Sequence, residues 1–270
     1  VQPGFVAQKQ SHMITFSIIT CTYQAAEVLQ RTLDSVLNQS YPHVEHIILD
    51  GASQDATIAM VNRYITENDS RTDCFHRVVF SSEPDKGLYD AMNKGINKAT
   101  GDYLVFINAG DVLPSDTLDH IAACVGEGET LPGVLYGDTD IVDNDGHFVR
   151  HRRLCPPQNL TWKSFRYGMV VCHQAFYCRT DIAKRNPYNL HFRFSADVDW
   201  CIRVMKDAAQ HGLSLRPVNA VIVDYLDGGM SVKHHRASLK ERFRVMQRHY
   251  GLLTTIAFHA WFAMRSVLRK

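Results

Sequence analysis

Short apolar runs alternate with amphipathic stretches along the first 110 residues. Four runs have the length and apolar composition of buried strands: Phe16–Ile19, Val44–Leu49, Val78–Phe80 and Tyr103–Ile107. Between them, apolar residues recur every three to four positions, which predicts a helix after each of the first three strands. Strands that alternate with helices favour parallel βαβ units, so we expect a doubly wound α/β arrangement here.

The pattern changes after residue 111. A helix is predicted over Leu118–Val125, followed by a strand over Gly133–Tyr136 that ends at Gly137-Asp138. The turn sequence Asp143–Gly146 predicts a hairpin, and Leu215–Tyr225 predicts a last strand. A helix is expected after Trp200, and the residues after the last strand are expected to be helical.

The composition is ordinary for a soluble globular protein, with 45% hydrophobic and 21% charged residues. A formal net charge of +1 gives no case for a nucleic-acid partner. The seven cysteines are scattered without a CxxC pair, which indicates buried thiols in a reducing compartment rather than a disulfide framework or a zinc site. No apolar stretch is long enough to predict a membrane span. Residues 1–12 are interpreted as a tag remnant or a disordered leader before Met13.

Polar side chains follow the predicted strands at the point where each strand ends. Thr20, Thr22 and Tyr23 follow the first, Asp50 follows the second, and Asn108–Asp111 follows the fourth. In an open α/β sheet, ligands bind outside the carboxyl ends of the strands. A carboxylate beside a glycine at such a position suits a metal-bound phosphate, although a polar turn that closes a core strand is the alternative. The chain has no GxGxxG after the first strand and no GxxxxGK[ST], which disfavours dinucleotide and P-loop binding.

Five segments, in this order, resemble family 2 glycosyltransferases. They are Phe16–Tyr23, Asp50–Thr57, Asp85–Gly95, Asn108–Asp111 and Ser195–Asp199. The second resembles the DGxSxDGT motif of the family, and the third is similar to the branch that includes colanic-acid and other polysaccharide-assembly transferases. The fourth and fifth stand where the family has its DxD metal motif and its ED-type catalytic motif.

Three positions depart from the family pattern. Ala56 replaces the usual glycine, Asn108 replaces the first aspartate of DxD, and Ala196 stands where a glutamate often precedes the catalytic aspartate. Metal binding is therefore expected to rest mainly on Asp111, and the role of general base on Asp197.

The resemblance implies a glycosyltransferase-A fold, a three-layer α/β/α sandwich with a mixed central sheet. It implies a catalytic domain over residues 13–235, with a nucleotide-binding half at 13–111 and an acceptor half at 112–235. The implied reaction moves a sugar, with inversion, from a nucleotide-diphosphate donor such as a UDP-sugar to a hydroxyl of a glycan or lipid-linked glycan in cell-surface polysaccharide assembly. A non-catalytic nucleotide-sugar binding protein and a nucleotidyltransferase on a similar core are the alternatives.

The same resemblance implies a role for each candidate site residue. Nucleotide contacts are expected from Thr20, Thr22, Tyr23, Asp50, Asp85, Lys86 and Asn108. Asp111 is the expected ligand of Mg²⁺ or Mn²⁺, and Asp197 the expected base. His173, Asp199 and Asp138 are candidates for the sugar or acceptor pocket. Structural roles remain open for several of them: a buried aspartate satisfied by backbone amides at Asp50, a surface lysine at Lys86, a helix cap at Asp111 or Asp197, and a core histidine at His173.

The C-terminal segment, residues 236–270, combines apolar and basic positions. Leu252, Ile256, Trp261 and Phe262 are followed by Arg265, Arg269 and Lys270. This pattern is typical of a helix in a membrane interface, with a helix packed on the catalytic domain as the alternative. We therefore expect a cytoplasmic protein with a possible peripheral contact at the inner face of the membrane. The oligomeric state is not predicted.

Overall fold

A computed structural model describes residues 13–72, 76–126, 130–228 and 234–267. The expected leader at residues 1–12 lies outside the described residues, as do Arg269 and Lys270.

The eight strands form one sheet. They are β1 Phe16–Thr22, β2 Val44–Asp50, β3 Arg77–Ser82, β4 Tyr103–Phe106, β5 Val134–Val142, β6 Phe148–His151, β7 Phe176–Arg179 and β8 Leu215–Leu226. The helices are α1 Leu29–Leu37, α2 Thr57–Asp69, α3 Leu88–Lys98, α4 Thr117–Val125, α5 Thr180–Arg185, α6 Ala196–Gln210, α7 His235–Tyr250 and α8 Leu252–Val267. Two 3-10 turns lie at Trp162–Tyr167 and His173–Ala175.

The strand order is β3-β2-β1-β4-β7-β5-β6, and β8 pairs with β5. The first four strands are parallel to one another, whereas β7 is antiparallel to both β4 and β5. The sheet is therefore mixed, and the expectation of parallel βαβ units in the first half is confirmed. In the β1–β2 register Thr22 pairs with Asp50, so the polar ends of these two strands lie side by side.

Helices cover both faces of the sheet, because successive strand residues point to opposite sides. Ile47 and Leu49 belong to the large core cluster together with Met92 and Ile96 of α3. Ile48 between them packs instead with Leu29 and Leu33 of α1. The sandwich arrangement expected from the sequence is confirmed.

One glycine lets α3 approach the sheet closely. A Cβ at Gly95 would lie 2.5 Å from a methyl carbon of Ile19 and 3.2 Å from a methyl carbon of Leu49. Any larger residue would push α3 away from β1, which would also displace the loop at its N-terminus.

The predicted hairpin at Asp143–Gly146 is confirmed, since β5 and β6 pair as antiparallel neighbours. The predicted end of a strand at Gly137-Asp138 is wrong. β5 runs through these residues to Val142, and its pairing with β8 shifts register there. A bulge lets the strand bend without ending, so the local turn residues were misleading.

Helices α7 and α8 pack on the rest of the molecule. The ring of Tyr250 stacks on Trp162 at 5.7 Å, and its hydroxyl donates to the Trp162 carbonyl at 2.6 Å. Phe243 and His259, on either side of Gly251, have ring centroids 4.9 Å apart, so α7 and α8 fold back on each other as a helical hairpin. Among the described residues, no helix is both long enough and apolar enough to span a bilayer.

Candidate active site

The carboxyl ends of β1, β2 and β3 are held together by one buried carboxylate. Asp50 is 2% exposed and accepts hydrogen bonds from Thr22 Oγ1 at 3.0 Å and Ser82 Oγ at 2.7 Å. It also accepts from the Ser53 hydroxyl at 2.6 Å and the Ser53 backbone N–H at 2.9 Å. Burial alone raises the pKa of Asp50, but the hydrogen bonds outweigh burial and leave it below its ordinary value. The ionised side chain therefore fixes the shape of the loop.

The three residues expected after β1 are placed very differently. Thr20 is fully buried, and its hydroxyl lies 3.0 Å from Nε2 of the buried His46. Thr22 is also buried and donates to Asp50. Tyr23 is 68% exposed and presents its ring at the surface. Of the three, Tyr23 is the one whose ring is open to solvent, while the two threonines stabilise the strand ends.

The Asp85-Lys86 loop closes over the same strand ends. A Cβ at Gly51 would lie 2.8 Å from Asp85 Oδ2 and 3.3 Å from the Tyr23 ring, so Asp85 and Tyr23 meet over Gly51. The other Asp85 oxygen accepts from the Gly87 backbone N–H at 2.7 Å. Gly87 has φ of 113°, a conformation that favours glycine, and it leads directly into α3. The Lys86 side chain is exposed.

Asp111 is the buried carboxylate at the end of the central strand. It is 3% exposed, and its two oxygens accept from the Leu226 backbone N–H at 2.9 Å and from Gln174 Nε2 at 3.0 Å. Burial raises the pKa of Asp111 to about 7, although both hydrogen bonds act in the opposite direction. Helix α4 begins at Thr117, five residues beyond Val112, so Asp111 is not a helix cap.

A second oxygen beside Asp111 lacks a partner. Asn108 Oδ1 is buried without a hydrogen-bond partner, while its backbone carbonyl accepts from the Asp111 N–H at 3.0 Å. A buried amide oxygen without a donor costs stability unless something pairs with it. An amide oxygen next to a carboxylate is a donor set that hard divalent cations prefer. Asn108 and Asp111 therefore offer side-chain oxygens of the kind that would hold a divalent cation.

Asp197 lies in the first turn of α6, one residue after its first residue, with Ser195 as the N-cap. Its Oδ1 accepts from the Tyr89 hydroxyl at 3.3 Å, which links α6 to α3. Burial raises the pKa of Asp197 above its ordinary value, although the residue keeps some exposed surface. A carboxylate with a raised pKa and access to solvent is suited to accept a proton.

Tyr225 connects the two acidic groups. Burial is the main cause of its raised pKa, and the charges of Asp111 and Asp197 both add to it. The Tyr225 hydroxyl therefore lies within electrostatic range of both carboxylates, so the metal candidate and the base candidate belong to one region of the protein.

Asp199 takes a structural role instead of the acceptor contact. It is fully buried, and its two oxygens pair with Arg203 at 2.7 Å and with His249 of α7 at 2.8 Å. Burial alone raises its pKa, but the His249 and Arg203 contacts outweigh burial and lower it. Asp197, two positions before it, instead accepts from Tyr89 and keeps some exposed surface.

His173 lies in an aromatic cluster. It stacks on Phe106 with ring centroids 5.1 Å apart, and its Nε2 lies 2.5 Å from the Tyr188 hydroxyl. Burial lowers the pKa of His173 to about 3, so the ring is neutral at physiological pH. At 5% exposure it supports the cleft from behind rather than lining it.

Asp138 lies on β5, partly exposed. Its pKa is raised by burial and then by the neighbouring charge of Asp140. Within the described part of the chain its charged neighbours are Asp140 and His151, and the structure does not bring it together with Asp111 or Asp197.

A further acidic group lies at the tip of the β5–β6 hairpin, where Asp143, Asp145 and His147 could each offer a ligand atom. The Asp143 carboxylate accepts from the backbone N–H groups of Asp145 and His147, both at 2.9 Å. These bonds shape the turn, and the group is exposed.

The sequence reasoning missed four residues of the site. Tyr89 belongs to the recognised segment Asp85–Gly95 and could have been found there. Gln174 follows His173 directly but carries no motif. Tyr225 lies in an apolar strand. Glu241 of α7 accepts from the backbone N–H groups of Arg193, Phe194 and Ser195 at 2.7–3.1 Å, immediately before Asp197, and nothing in the local pattern reveals it.

The family model for glycosyl transferase family 2 matches residues 17–185 of the chain. This range includes every segment of the cleft except α6, β8 and α7. The chain belongs to glycosyl transferase family 2. It is therefore a glycosyltransferase, and the recognition from sequence is confirmed, although the colanic-acid branch is not.

Two mycobacterial relatives support the assignment. A "PGL/p-HBAD biosynthesis glycosyltransferase" of Mycobacterium tuberculosis is 34% identical over 223 residues, which is 80% of this chain and 78% of the relative. An "uncharacterized glycosyltransferase" of the same species is 33% identical over 195 residues, or 70% of this chain and 68% of the relative.

Solved structures with low sequence identity share the fold. Residues 1–349 of S. aureus TarS match with a TM-score of 0.67 at 16% identity, over 92% of this chain and 72% of that one. The complex of the same TarS fragment with UDP-GlcNAc matches with a TM-score of 0.65 at 19% identity, over 87% of this chain and 65% of that chain. The mannosyltransferase PcManGT of Pyrobaculum calidifontis, in complex with GDP-Man and Mn²⁺, matches with a TM-score of 0.58 at 18% identity. The match covers 97% of this chain and 79% of that chain. The glycosyltransferase-A architecture predicted from the sequence is confirmed.

Proposed function

We propose that this family 2 glycosyltransferase moves a sugar from a UDP-sugar to a hydroxyl of a glycan or lipid-linked glycan, with inversion at the anomeric carbon. The observation that carries the proposal is the pair of carboxylates around Tyr225. One is buried, three residues after an asparagine whose side-chain oxygen has no partner, and the other has a raised pKa and keeps some exposed surface. A single displacement requires stabilisation of the departing diphosphate and a group that takes the proton of the acceptor hydroxyl.

The nucleotide is expected to bind over the ends of β1 and β2. The exposed Tyr23 ring would stack on the base, and Asp85 lies beside it over Gly51. Asp50 would contribute by holding the loop in shape. Its carboxylate oxygens already accept hydrogen bonds from Thr22, Ser53 and Ser82, so neither oxygen is free for the ligand. Lys86 is free to approach a phosphate from the surface.

Asp111 and Asn108 would hold a divalent cation, Mg²⁺ or Mn²⁺. When bound, such a cation supplies Lewis-acid stabilisation of the departing diphosphate. Gln174 and the Leu226 backbone N–H orient the Asp111 carboxylate by their hydrogen bonds. Such outer partners keep a ligand in the geometry that the cation needs.

Asp197 would accept the proton of the acceptor hydroxyl as that oxygen bonds to the anomeric carbon. The Tyr89 hydroxyl and the helix start hold the carboxylate in place. Its raised pKa makes it a stronger base than an ordinary surface aspartate.

Similar proteins support a nucleotide-sugar donor by analogy. TarS has been solved with UDP and with UDP-GlcNAc, and PcManGT with GDP-Man and Mn²⁺. A role in cell-surface polysaccharide assembly at the cytoplasmic face of the membrane is part of the proposal.

The test incubates the chain with a panel of nucleotide sugars, Mn²⁺ and glycan acceptors, and measures the released nucleotide product and the new linkage. We expect UDP release from one UDP-sugar and a product of inverted anomeric configuration by NMR. Pyrophosphate release would indicate a nucleotidyltransferase. Donor binding without any turnover would indicate a binding protein, and either result would contradict the proposal.

A further inference from the structure

Helix α8 turns its apolar residues outward. Leu253 is 84% exposed, Met264 55%, Ile256 50% and Leu252 49%. At about 100° per residue these four positions fall within about 120° of one another, so they share one face. Over residues 252–265, where the burial of α8 is described, every exposed residue is apolar: Leu252, Leu253, Ile256, Ala257, Ala260, Ala263 and Met264.

The opposite face of α8 holds the helix on the protein. Thr255 is fully buried and donates to the Gly251 carbonyl at 2.8 Å. The rings of Phe258 and Trp261 lie 5.1 Å and 5.9 Å from the Tyr167 ring. Polar and aromatic residues therefore face inward while aliphatic residues face outward, the reverse of a usual surface helix. A contiguous exposed apolar face of this kind marks an interaction surface.

Cations lie on α8 itself and on the segments that it packs against. Along α7, Arg236, Lys240, Arg244 and Arg248 are exposed and recur every four residues, so they form one row. Beside the 162–167 turn, the Arg166 guanidinium lies 5.7 Å from the Phe258 ring centroid, and the adjacent Lys163 is exposed. Within α8, Arg265 lies 4.4 Å from the Trp261 ring centroid.

Acidic residues do not balance these charges. Over residues 235–267 the sequence has six lysines and arginines, and Glu241 is its one acidic residue. The Glu241 carboxylate is already occupied by the backbone N–H groups before α6. The surface is thus both apolar and locally basic, in a chain whose formal net charge is only +1.

We propose that the helical hairpin of α7 and α8 docks on the surface of a bilayer that contains anionic lipids. Helix α8 lies in the interface with its aliphatic face toward the acyl chains, and the neighbouring cations contact the headgroups. A second copy of the chain is a poorer occupant, because a twofold contact would bring the same row of cations close to itself. The inference is independent of the sugar-transfer chemistry.

Docking through this hairpin also sets the position of the cleft. The same α7 carries Glu241, which holds the loop before Asp197, and His249, which pairs with Asp199. The hairpin is thus fastened to the helix that bears the base, and a chain docked in this way presents its cleft at a fixed orientation to the membrane.

The test is flotation of the 270-residue chain with phosphatidylcholine vesicles, with and without added phosphatidylglycerol. We expect flotation with the mixed vesicles and release by salt.

The double variant Leu253→Ser/Ile256→Ser should lower the partition coefficient by about tenfold or more. Arg244→Gln/Arg248→Gln should lower it by roughly fivefold for each charge at low salt. Leu190→Ser, at a leucine that is 48% exposed outside the hairpin, is the matched control and should float like the wild type.

All substituted positions in the hairpin are exposed, so circular dichroism should report an unchanged fold for both double variants. Failure of the wild type to float with anionic vesicles would overturn the proposal. Equal flotation with phosphatidylcholine alone, or unchanged flotation of the Leu253→Ser/Ile256→Ser variant, would also overturn it. A wild-type dimer that the same variant converts to a monomer without vesicles would assign the face to a second copy instead.

Discussion

Asp197 and Asp199 stand two residues apart and have opposite electrostatics. Burial raises the pKa of Asp197, whereas the contacts with His249 and Arg203 outweigh burial and lower the pKa of Asp199. In a helix, residues two apart point in directions about 200° apart, so Asp197 meets Tyr89 and keeps some exposed surface while Asp199 pairs with buried partners on the other side. The sequence alone favoured Asp197 by resemblance, and the contacts of Asp199 give a physical reason for the same choice.

Asp197→Asn is expected to leave donor binding near normal and to lower transfer by roughly 10² or more, because the amide keeps the shape but is not an effective base. The wild-type rate should rise with pH along an acidic limb whose midpoint lies above 3.8, the ordinary value for aspartate, since the ionised form is the active one. The variant should lack this limb. Paired donor-affinity and transfer assays across pH provide the measurement. Transfer within a few-fold of the wild type would show that Asp197 is not the base.

The buried His173 should make the free energy of unfolding depend on pH in acid. Its pKa falls from an ordinary 6.5 to about 3 on burial, so between these values the unfolded chain binds a proton that the folded chain does not. Its contribution to the free energy of unfolding is therefore present above pH 6.5 and is lost toward pH 3, by about 1.4 kcal/mol per pH unit.

His173→Gln should reduce that pH slope by the same amount in urea titrations between pH 6 and pH 4. His211→Gln is the control, because the His211 side chain is 55% exposed. Equal slopes for the wild type and His173→Gln would contradict a neutral, buried His173.

At the scale of elements, α7 positions the base from a distance. Glu241 accepts three consecutive backbone N–H groups at residues 193–195, directly before α6. Glu241→Gln removes the charge and leaves one acceptor oxygen, so the loop should loosen. We expect kcat for transfer to fall about tenfold with donor affinity unchanged, and stability to fall by roughly 1–3 kcal/mol.

The pH limb of Asp197 should persist in Glu241→Gln, because the base is still present but less well placed. Glu67→Gln, at an exposed glutamate on α2, should behave as the wild type. A Glu241→Gln enzyme with the same loss of stability but full kcat would reduce Glu241 to a structural contact.

Much of the fold was predictable because apolar runs and amphipathic stretches alternate so regularly through β4. The full length of β5 was not predictable, because Gly137-Asp138 has the composition of a turn. The strand continues past these residues because it pairs with β8. The positions of Asp111 and Asp197 followed from motif order. The role of Glu241 could not be predicted from the sequence. It depends on a contact with Ser195, which is 46 residues away in sequence, and the two segments share no pattern.

Thr20 illustrates a different limit. Its place after an apolar run suggested a ligand contact, but strand β1 extends to Thr22, which carries Thr20 into the core beside His46. Because side chains alternate along a strand, an error of a few residues in the end of a strand changes which residues reach the cleft.

At the scale of the whole molecule, the proposed site draws on both halves of the sheet and on α6. The parallel half carries Tyr23, Asp85, Asn108 and Asp111. The mixed half carries Gln174 and Tyr225, and α6, which α7 holds in place, carries Asp197. In the proposed function Asp111 serves the phosphate and Asp197 accepts the proton, so variants at the two residues should fail in different ways.

Calorimetric titration of UDP, with and without Mn²⁺, into the wild type, Asp111→Asn and Asp197→Asn tests this division most directly. We expect Mn²⁺ to strengthen UDP binding to the wild type and to Asp197→Asn equally. For Asp111→Asn we expect that gain to fall by at least about tenfold, because the cation loses its main ligand. The account is contradicted if Asp111→Asn keeps the full gain from Mn²⁺, or if the wild type binds UDP no more tightly with Mn²⁺ than without it.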